Sequence, residues 1–411
     1  MFVEKKTCRL CGKGPLEKFF NLGLQPLANA FLAQEHFEKE KQYPLCVARC
    51  TNSVCGFVQL AYVVNPDELF SDYVYVSSTS PAFVRHFEEY ASDMDRRVGL
   101  KGALTLDIGS NDGVLLKPLK ALGARALGVD PAAAIAKRAT ESGLETIVGY
   151  FTEKFAKELK AARGEAKLIT ANNVFAHIDD LDDVMRGVQA LLSRDGLFVI
   201  EAPYLVDYLE KKLFDTTYHE HLSYLSLRPL QLFFKKFGMH IVDVECVDTH
   251  GGSMRIMVAP DGSRFAESPT VAKLISEEET KGLYNPETYQ KFTLQVFKNR
   301  EALRTLLGGL KKEGKTIAGY GAPAKGNTLL NFMQVGTETL DYIVDENPLK
   351  QGLFSPGMHV PIVPASHMES HRPDYLLILA WNFAPSIMEK NKAFKDAGGQ
   401  FIIPVPEAQI V

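Results

Sequence analysis

The sequence predicts an α/β protein in three parts: a small cysteine-knuckle domain, a larger Rossmann-like domain, and a smaller Rossmann-like domain at the C-terminus. Three observations carry this. Five of the six cysteines, Cys8, Cys11, Cys46, Cys50 and Cys55, fall early in the chain. Two stretches, ALTLDIGSNDGVLLKPL from Ala103 and KTIAGYGAPAKGNTLL from Lys315, each read as an apolar strand, a glycine turn and a helix. In both units a following strand ends on an acidic residue, and such alternation of strands and helices implies a parallel sheet covered on both faces. At 411 residues the chain exceeds one ordinary core, and roughly 150 residues per domain suggests two or three.

A hydrophobic share of 46% and a charged share of 23% fit a globular protein with sizeable cores. The net charge of −4 argues against a nucleic-acid partner, which would call for a basic domain or stripe. A few local Lys and Arg would still suffice for a phosphate-bearing small substrate. No apolar run approaches the ~20 residues needed to span a bilayer, and MFVEKKTCRLCGKG has no apolar signal region. The expectation is a cytoplasmic protein with no membrane partner.

The first element is the cysteine region. Cytosolic chains rarely use disulfides, so clustered cysteines point to metal or catalysis. Cys8-x2-Cys11 and Cys50-x4-Cys55 form two knuckles, and two thiolate pairs complete a tetrahedral Zn²⁺ site. Gly12 and Gly56 follow the second cysteine of each knuckle, where a tight turn is useful. Four thiolates leave no open coordination position, so this zinc would be structural. Cys46 is a spare that could replace one ligand, at a less typical spacing.

The expected boundaries are 1–72 for the zinc-binding domain, 73–263 for the larger Rossmann-like domain, 264–312 for a helical connection, and 313–411 for the C-terminal domain. From Pro81 to about Val98, apolar Phe83, Phe87, Tyr90 and Met94 recur at helical spacing. Strand Leu104–Ile108, a Gly/Asn/Asp turn and a helix from Val114 follow. RALGVD is a second strand, and KLITANNVFAHI is a strand and loop. LDDVMRGVQALL is a helix, with a turn at Asp195–Gly196 before the strand LFVIEAPY. The polar helical connection would act as a hinge or a strut.

Four motifs carry chemistry. In Asp107-Ile-Gly109-Ser110-Asn111-Asp112-Gly113, glycine lets backbone approach a ligand, and Asp130 can accept from a ribose diol. That logic serves dinucleotides and S-adenosylmethionine (SAM) alike, but the turn lacks the G-x-G-x-x-G spacing that a pyrophosphate needs. The run from Ala171 to Tyr204 also resembles the post-motif region of class I SAM methyltransferases, so SAM is the expected cofactor. Asn111 stands where that class commonly has a glycine. The second motif, Tyr218-His219-Glu220-His221, offers a general base near the carboxyl edge of the sheet. Its residues alone leave open which histidine serves. His250-Gly251-Gly252-Ser253, with Arg255, permits close backbone approach to an anionic ligand, although a plain hairpin explains Gly-Gly equally well. Finally, Gly319 to Asn327 is a glycine turn opening a helix, with Lys325 as a point charge. Either phosphate recognition or a structural turn accounts for it.

The order of these features resembles the three-domain, zinc-containing SAM-dependent sugar C-methyltransferases that act on dTDP-linked keto-deoxysugars. The resemblance covers essentially the whole chain, including Pro26 in LGLQPLANAF and the terminal VPE. It implies structural zinc on Cys8, Cys11, Cys50 and Cys55, and SAM at Asp107, Gly109, Asn111, Asp130 and Asn173. It implies catalysis by Tyr218, Glu220 and His221, with His177 after the fourth strand. A nucleotide-sugar substrate would meet His250, Gly251, Gly252, Ser253, Gly321, Lys325 and Asn327. The family's second knuckle is usually C-x2-C, and the four-residue gap here keeps Cys46 in play. The implied reaction is α-proton removal beside a ketone, by His221 or by Tyr218 acting with it, then C-methylation. O- or N-methylation of a related small molecule, or a non-catalytic zinc- and SAM-fold binding protein, are the alternatives.

Overall fold

The computed structural model describes residues 1–70, 81–249 and 251–411. Among these, four sheets form. The short strands β1 (Phe2–Glu4) and β5 (Tyr62–Val64) pair with each other. Strands β2 (Leu16–Pro26), β3 (Gln42–Cys50) and β4 (Val58–Leu60) make the N-terminal sheet, with β2 bulged at two points along β3. A fourth strand is lent from far along the chain. β11 (Ser223–Tyr224) pairs antiparallel with β4, Ser223 opposite Gln59. The segment Tyr218–His221 therefore runs straight into a strand that docks on the cysteine domain.

The central sheet takes β6 (Leu104–Ile108), β7 (Arg125–Asp130), β8 (Thr146–Val148), β9 (Ala166–Asn172), β10 (Leu192–Pro203), β12 (Met239–Val247) and β13 (Ser253–Pro260). Its order is β12-β13-β10-β9-β6-β7-β8. The strands β6 to β10 run parallel, while β12 and β13 close one edge antiparallel. Strand β6 is buried throughout, as expected of a parallel strand covered on both faces. Helix Pro81–Val98 buries Phe87, Tyr90, Ala91, Met94 and Val98, a three-to-four-residue stripe facing the core.

The turn expected at Asp195–Gly196 is absorbed into β10. Leu192 pairs with Ala166 and Leu197 with Leu168, so the intervening residues form a bulge and not a break. A glycine suits the spot, because a Cβ on Gly196 would lie 2.9 Å from the Lys167 carbonyl.

The C-terminal sheet contains β14 (Ile317–Tyr320), β15 (Ile343–Val344), β16 (Ile362–Val363), β17 (Tyr375–Ile378), β18 (Gln400–Ile403) and β19 (Gln409–Ile410), in the order β16-β15-β14-β17-β18-β19. Helix Pro286–Lys312 reaches all three parts. Tyr289 packs on Phe19, Phe292 on Tyr208, and Asn299 donates to the Pro404 carbonyl at 2.8 Å. A continuous 27-residue helix, about 40 Å long, braces the molecule as a strut. No helix of the described residues is long and apolar enough to cross a membrane.

Candidate active site

The carboxyl ends of β6, β7, β9 and β10 open into a cavity of about 740 Å³, which residues of the N- and C-terminal parts complete. This is the edge at which open parallel sheets bind ligands.

The first wall is the glycine turn. Gly109 has φ +66°, and a Cβ there would lie 2.3 Å from Val174 Cγ2. Asn111 has φ +51°, a left-handed conformation that asparagine tolerates better than most residues. That explains why it can stand where glycine is common. Asp130 ends β7 and organises two loops: its carboxylate accepts from Asn111 N–H and Ala132 N–H, each at 2.8 Å. Asn173, at φ +54°, lines the cavity with a buried Oδ1 that has no partner among the described residues. The neighbouring Asn172 Oδ1 is likewise unpartnered. Closely approaching backbone, an acidic strand end and unsatisfied amide oxygens fit the ribose, amine and adenine of SAM. Asp107 lies beneath this wall, not on it. It is buried and accepts from Thr170 Oγ1 at 2.6 Å and Asn172 Nδ2 at 3.3 Å. Its burial pushes the carboxyl up to about 7.

Glycine at 109 can be tested directly. Gly109→Ala imposes both a strained φ and the clash with Val174, at about 1–3 kcal/mol for the backbone alone. SAM affinity by calorimetry is expected to fall by about tenfold or more. Unchanged affinity would show that the turn adapts.

The second wall gathers titratable side chains. His177, Tyr218, Glu220 and His221 all line the cavity. The His221 ring lies 3.8 Å from that of Tyr218 and 5.0 Å from that of His177, centroid to centroid. His221 Nδ1 lies 2.7 Å from the Thr216 carbonyl. A carbonyl only accepts, so Nδ1 carries the proton and the basic nitrogen of the neutral ring is Nε2. His219 turns the other way. It is buried 3.3 Å from the Tyr43 carbonyl, and burial pushes it down to about 4. Glu220 is buried and pushed up to about 7, and it accepts from Asn29 Nδ2 at 2.8 Å.

The third wall comes from the C-terminal part. Lys325 and Lys350 face the cavity with Asn382 and Phe383. Burial lowers Lys325 to about 8. Lys350 donates to the Ala322 carbonyl at 2.8 Å, and burial lowers it as well. Asn327 of the same motif does not line the cavity. It is buried and donates to the Ala28 carbonyl at 2.7 Å, joining the N- and C-terminal parts. Gly321, at φ +82°, packs against Ala380, where a Cβ would lie 2.9 Å from the alanine's own.

Of the His-Gly-Gly-Ser motif, Gly251 and Gly252 lie between β12 and β13, and Ser253 opens β13 opposite Val247. His250 lies outside the described residues. Gly252 is pressed on Asp207, Gly251 accepts from Lys211, and Ser253 Oγ donates to the Thr249 carbonyl. Gly251, Gly252 and Ser253 do not line the cavity. Arg255 is committed internally, to Glu201 at 2.9 Å and Glu245 at 3.3 Å, with its guanidinium over Tyr90. The sequence reasoning missed Asn29, Asn172, Lys350 and Asn382. Asn29 lies inside LGLQPLANAF and Asn172 inside ANNVF, but Lys350 carries no local signal.

Outside the cavity lining, Cys8, Cys11, Cys50 and Cys55 bring their sulfurs within 4.8 Å of one another. The Cys8–Cys55 and Cys11–Cys50 sulfurs are 3.8 and 3.7 Å apart. Tetrahedral zinc with Zn–S of about 2.3 Å separates its sulfurs by about 3.8 Å, so the group fits the ion. Cys46 sits four residues from Cys50 on β3, about 13 Å of extended chain, packed with Ala48 and Ala61. It is outside the sulfur cluster, and the x4 knuckle closes the set unaided.

Three family models match in order: a zinc binding domain at residues 8–70, a methyltransferase domain at 84–244, and a C-methyltransferase C-terminal domain at 248–406. The C-methyltransferase NovU of Streptomyces niveus is 39% identical over 98% of this chain and 96% of its own. A ubiquinone biosynthesis O-methyltransferase of Cupriavidus pinatubonensis is 23% identical over 37% of this chain and 66% of its own. Among solved structures, magnesium protoporphyrin IX methyltransferase from Synechocystis aligns at 13% identity and a TM-score of 0.35, over 43% of this chain and 83% of its own.

Proposed function

The chain belongs to the three-domain, zinc-containing SAM-dependent C-methyltransferases, and from that premise we propose that it methylates carbon beside the ketone of a nucleotide-linked 4-keto-deoxysugar, with a dTDP-sugar favoured. The observation that carries this reading is the meeting of three groups in one cavity: a SAM-type turn, a histidine–tyrosine–carboxyl cluster, and two lysines.

A ketone acidifies the proton on its neighbouring carbon. His221 removes that proton at Nε2, with Nδ1–H held on the Thr216 carbonyl. Tyr218 and His177, packed against His221, supply hydrogen-bonding groups for the developing enolate oxygen, and preorganised donors there are often the largest electrostatic contribution. Glu220 steadies the segment through Asn29. Bound SAM supplies the electrophilic methyl that the enolate carbon accepts. Lys325 and Lys350 offer charge to a diphosphate. The zinc serves the fold and takes no part in the chemistry.

The test is incubation with methyl-labelled SAM and a panel of dTDP- and GDP-linked 4-keto-deoxysugars, read by mass spectrometry and NMR. A new methyl on carbon beside the ketone is expected, with solvent-deuterium exchange at that carbon when SAM is omitted. A methyl found on oxygen or nitrogen, with no exchange, would replace this reading by heteroatom methylation.

A further inference from the structure

Residues Phe214–Thr216 form one 3₁₀ turn just ahead of the Tyr218–His221 segment, and each reaches in a different direction. Phe214 packs on Phe332 of the C-terminal part, ring centroids 5.3 Å apart. Asp215 is fully buried and accepts a hydrogen bond from the indole N–H of Trp381, in the turn after β17. The Thr216 carbonyl holds His221 Nδ1–H. Over the face of the indole, the Lys325 ammonium lies 3.9 Å from the ring centroid, and Lys325 donates to the adjacent Asn382.

A carboxylate without solvent is costly unless it is paired or hydrogen-bonded. Burial pushes Asp215 up to about 6 even though Lys325 opposes the shift. Packing alone does not call for a buried carboxylate, since well-packed apolar residues often take such places at lower cost. Its orientation toward Trp381, one residue before the carbonyl that fixes the His221 ring, assigns it another use.

We infer that Asp215 is a positioning residue whose hydrogen bond to Trp381 ties the C-terminal domain to the turn that orients His221. The seating of that domain is thereby felt at the base. The catalytic consequence rests on the reading of His221 as base, but the link itself is testable without substrate.

Trp381 is the single tryptophan of the chain, so one indole N–H resonance reports it. In the full-length, zinc-loaded protein with S-adenosylhomocysteine, the His221 Cε1–H resonance is assigned by its loss in His221→Gln. Trp381→Phe keeps an aromatic ring beneath Lys325 and removes the donor together with part of the indole. It is expected to shift the His221 titration midpoint by about half a pH unit, with SAM affinity unchanged. In an Asp215→Ala background the same substitution should shift it no further, the signature of a coupled pair. An unmoved His221 resonance in Trp381→Phe, or equal shifts in both backgrounds, overturns the link. If Asp215→Ala does not fold, Trp381→Phe decides by the first criterion. Full turnover in His221→Gln would instead remove the base assignment and leave this coupling standing.

Discussion

Replacing His221 with glutamine is expected to lower turnover by about 10²–10⁴-fold, the usual worth of a positioned general base, while SAM binds as before. Glutamine has similar length and puts its amide at the Nε2 end of the ring, so the Nδ1–H bond to the Thr216 carbonyl is lost with the imidazole, and circular dichroism should show that the fold survives. What it lacks is a basic nitrogen at the position of Nε2. The loss should therefore fall on proton removal, seen as abolished solvent-deuterium exchange at the sugar α-carbon. In the reading proposed above, SAM rests on the wall of Gly109, Asn111, Asp130 and Asn173, so calorimetry should report little change. Tyr218→Phe should cost less, because its ring still packs 3.8 Å from His221 and only the hydroxyl goes. His219→Gln should leave exchange intact, since that ring faces the Tyr43 carbonyl away from the cavity. Exchange surviving in His221→Gln but lost in Tyr218→Phe would transfer the role of base to the tyrosine.

The second large effect is expected from zinc removal. Chelation, or Cys8→Ser, should abolish turnover together with the fold of the N-terminal domain. Burial pushes the Cys50 thiol up to about 12, and the hydrogen bond with Cys8, then burial, pushes Cys55 higher, so these two sulfurs do not stand beside their neighbours as thiolates without a cation. Structural zinc is worth roughly 10–16 kcal/mol in zinc-finger peptides, comparable to the whole stability of a domain, about 5–15 kcal/mol. The Tyr218–His221 segment, proposed above to carry the base, hangs on that domain. β11 is the fourth strand of its sheet, Leu60 N–H donates to the Leu222 carbonyl at 2.9 Å, and Asn29 holds Glu220. Activity should therefore vanish although no sulfur lies in the cavity. Metal content, circular dichroism and turnover measured on one preparation separate the outcomes. A zinc-free Cys8→Ser protein with normal turnover would refute the dependence. Cys46→Ser should keep both metal and activity, because Cys46 lies outside the cluster.

Much of this was legible locally. The three-part α/β architecture, the four-cysteine set and the helix Pro81–Val98 follow from periodicity, spacing and turn chemistry, which act over a few residues. The same holds for strand Leu104–Ile108 and its glycine turn. The Asp195–Gly196 expectation failed for a reason outside that range. A turn-favouring dipeptide was drawn into β10 by pairing with β9, and such a ladder is a property of the partner strand. The Gly-Gly pair after His250 shows the opposite limit, since hairpin and ligand contact demand the same residues.

The distinction between neighbours in the chain needed the packed molecule. His219 and His221 are two residues apart and chemically identical, yet one is sealed against the N-terminal domain and the other lines the cavity. Lys325 and Asn327 share one motif, but the lysine meets the cavity and the asparagine bonds to Ala28. Arg255, free to bind an anion on residue type alone, is consumed by Glu201 and Glu245. Residue type sets which chemistry a side chain can perform, and that is written in the chain. Whether a side chain is spent on the fold or left for a ligand depends on what lies within about 3 Å of its polar atoms. Those partners come from segments up to hundreds of residues away, which are brought together only when the three cores pack.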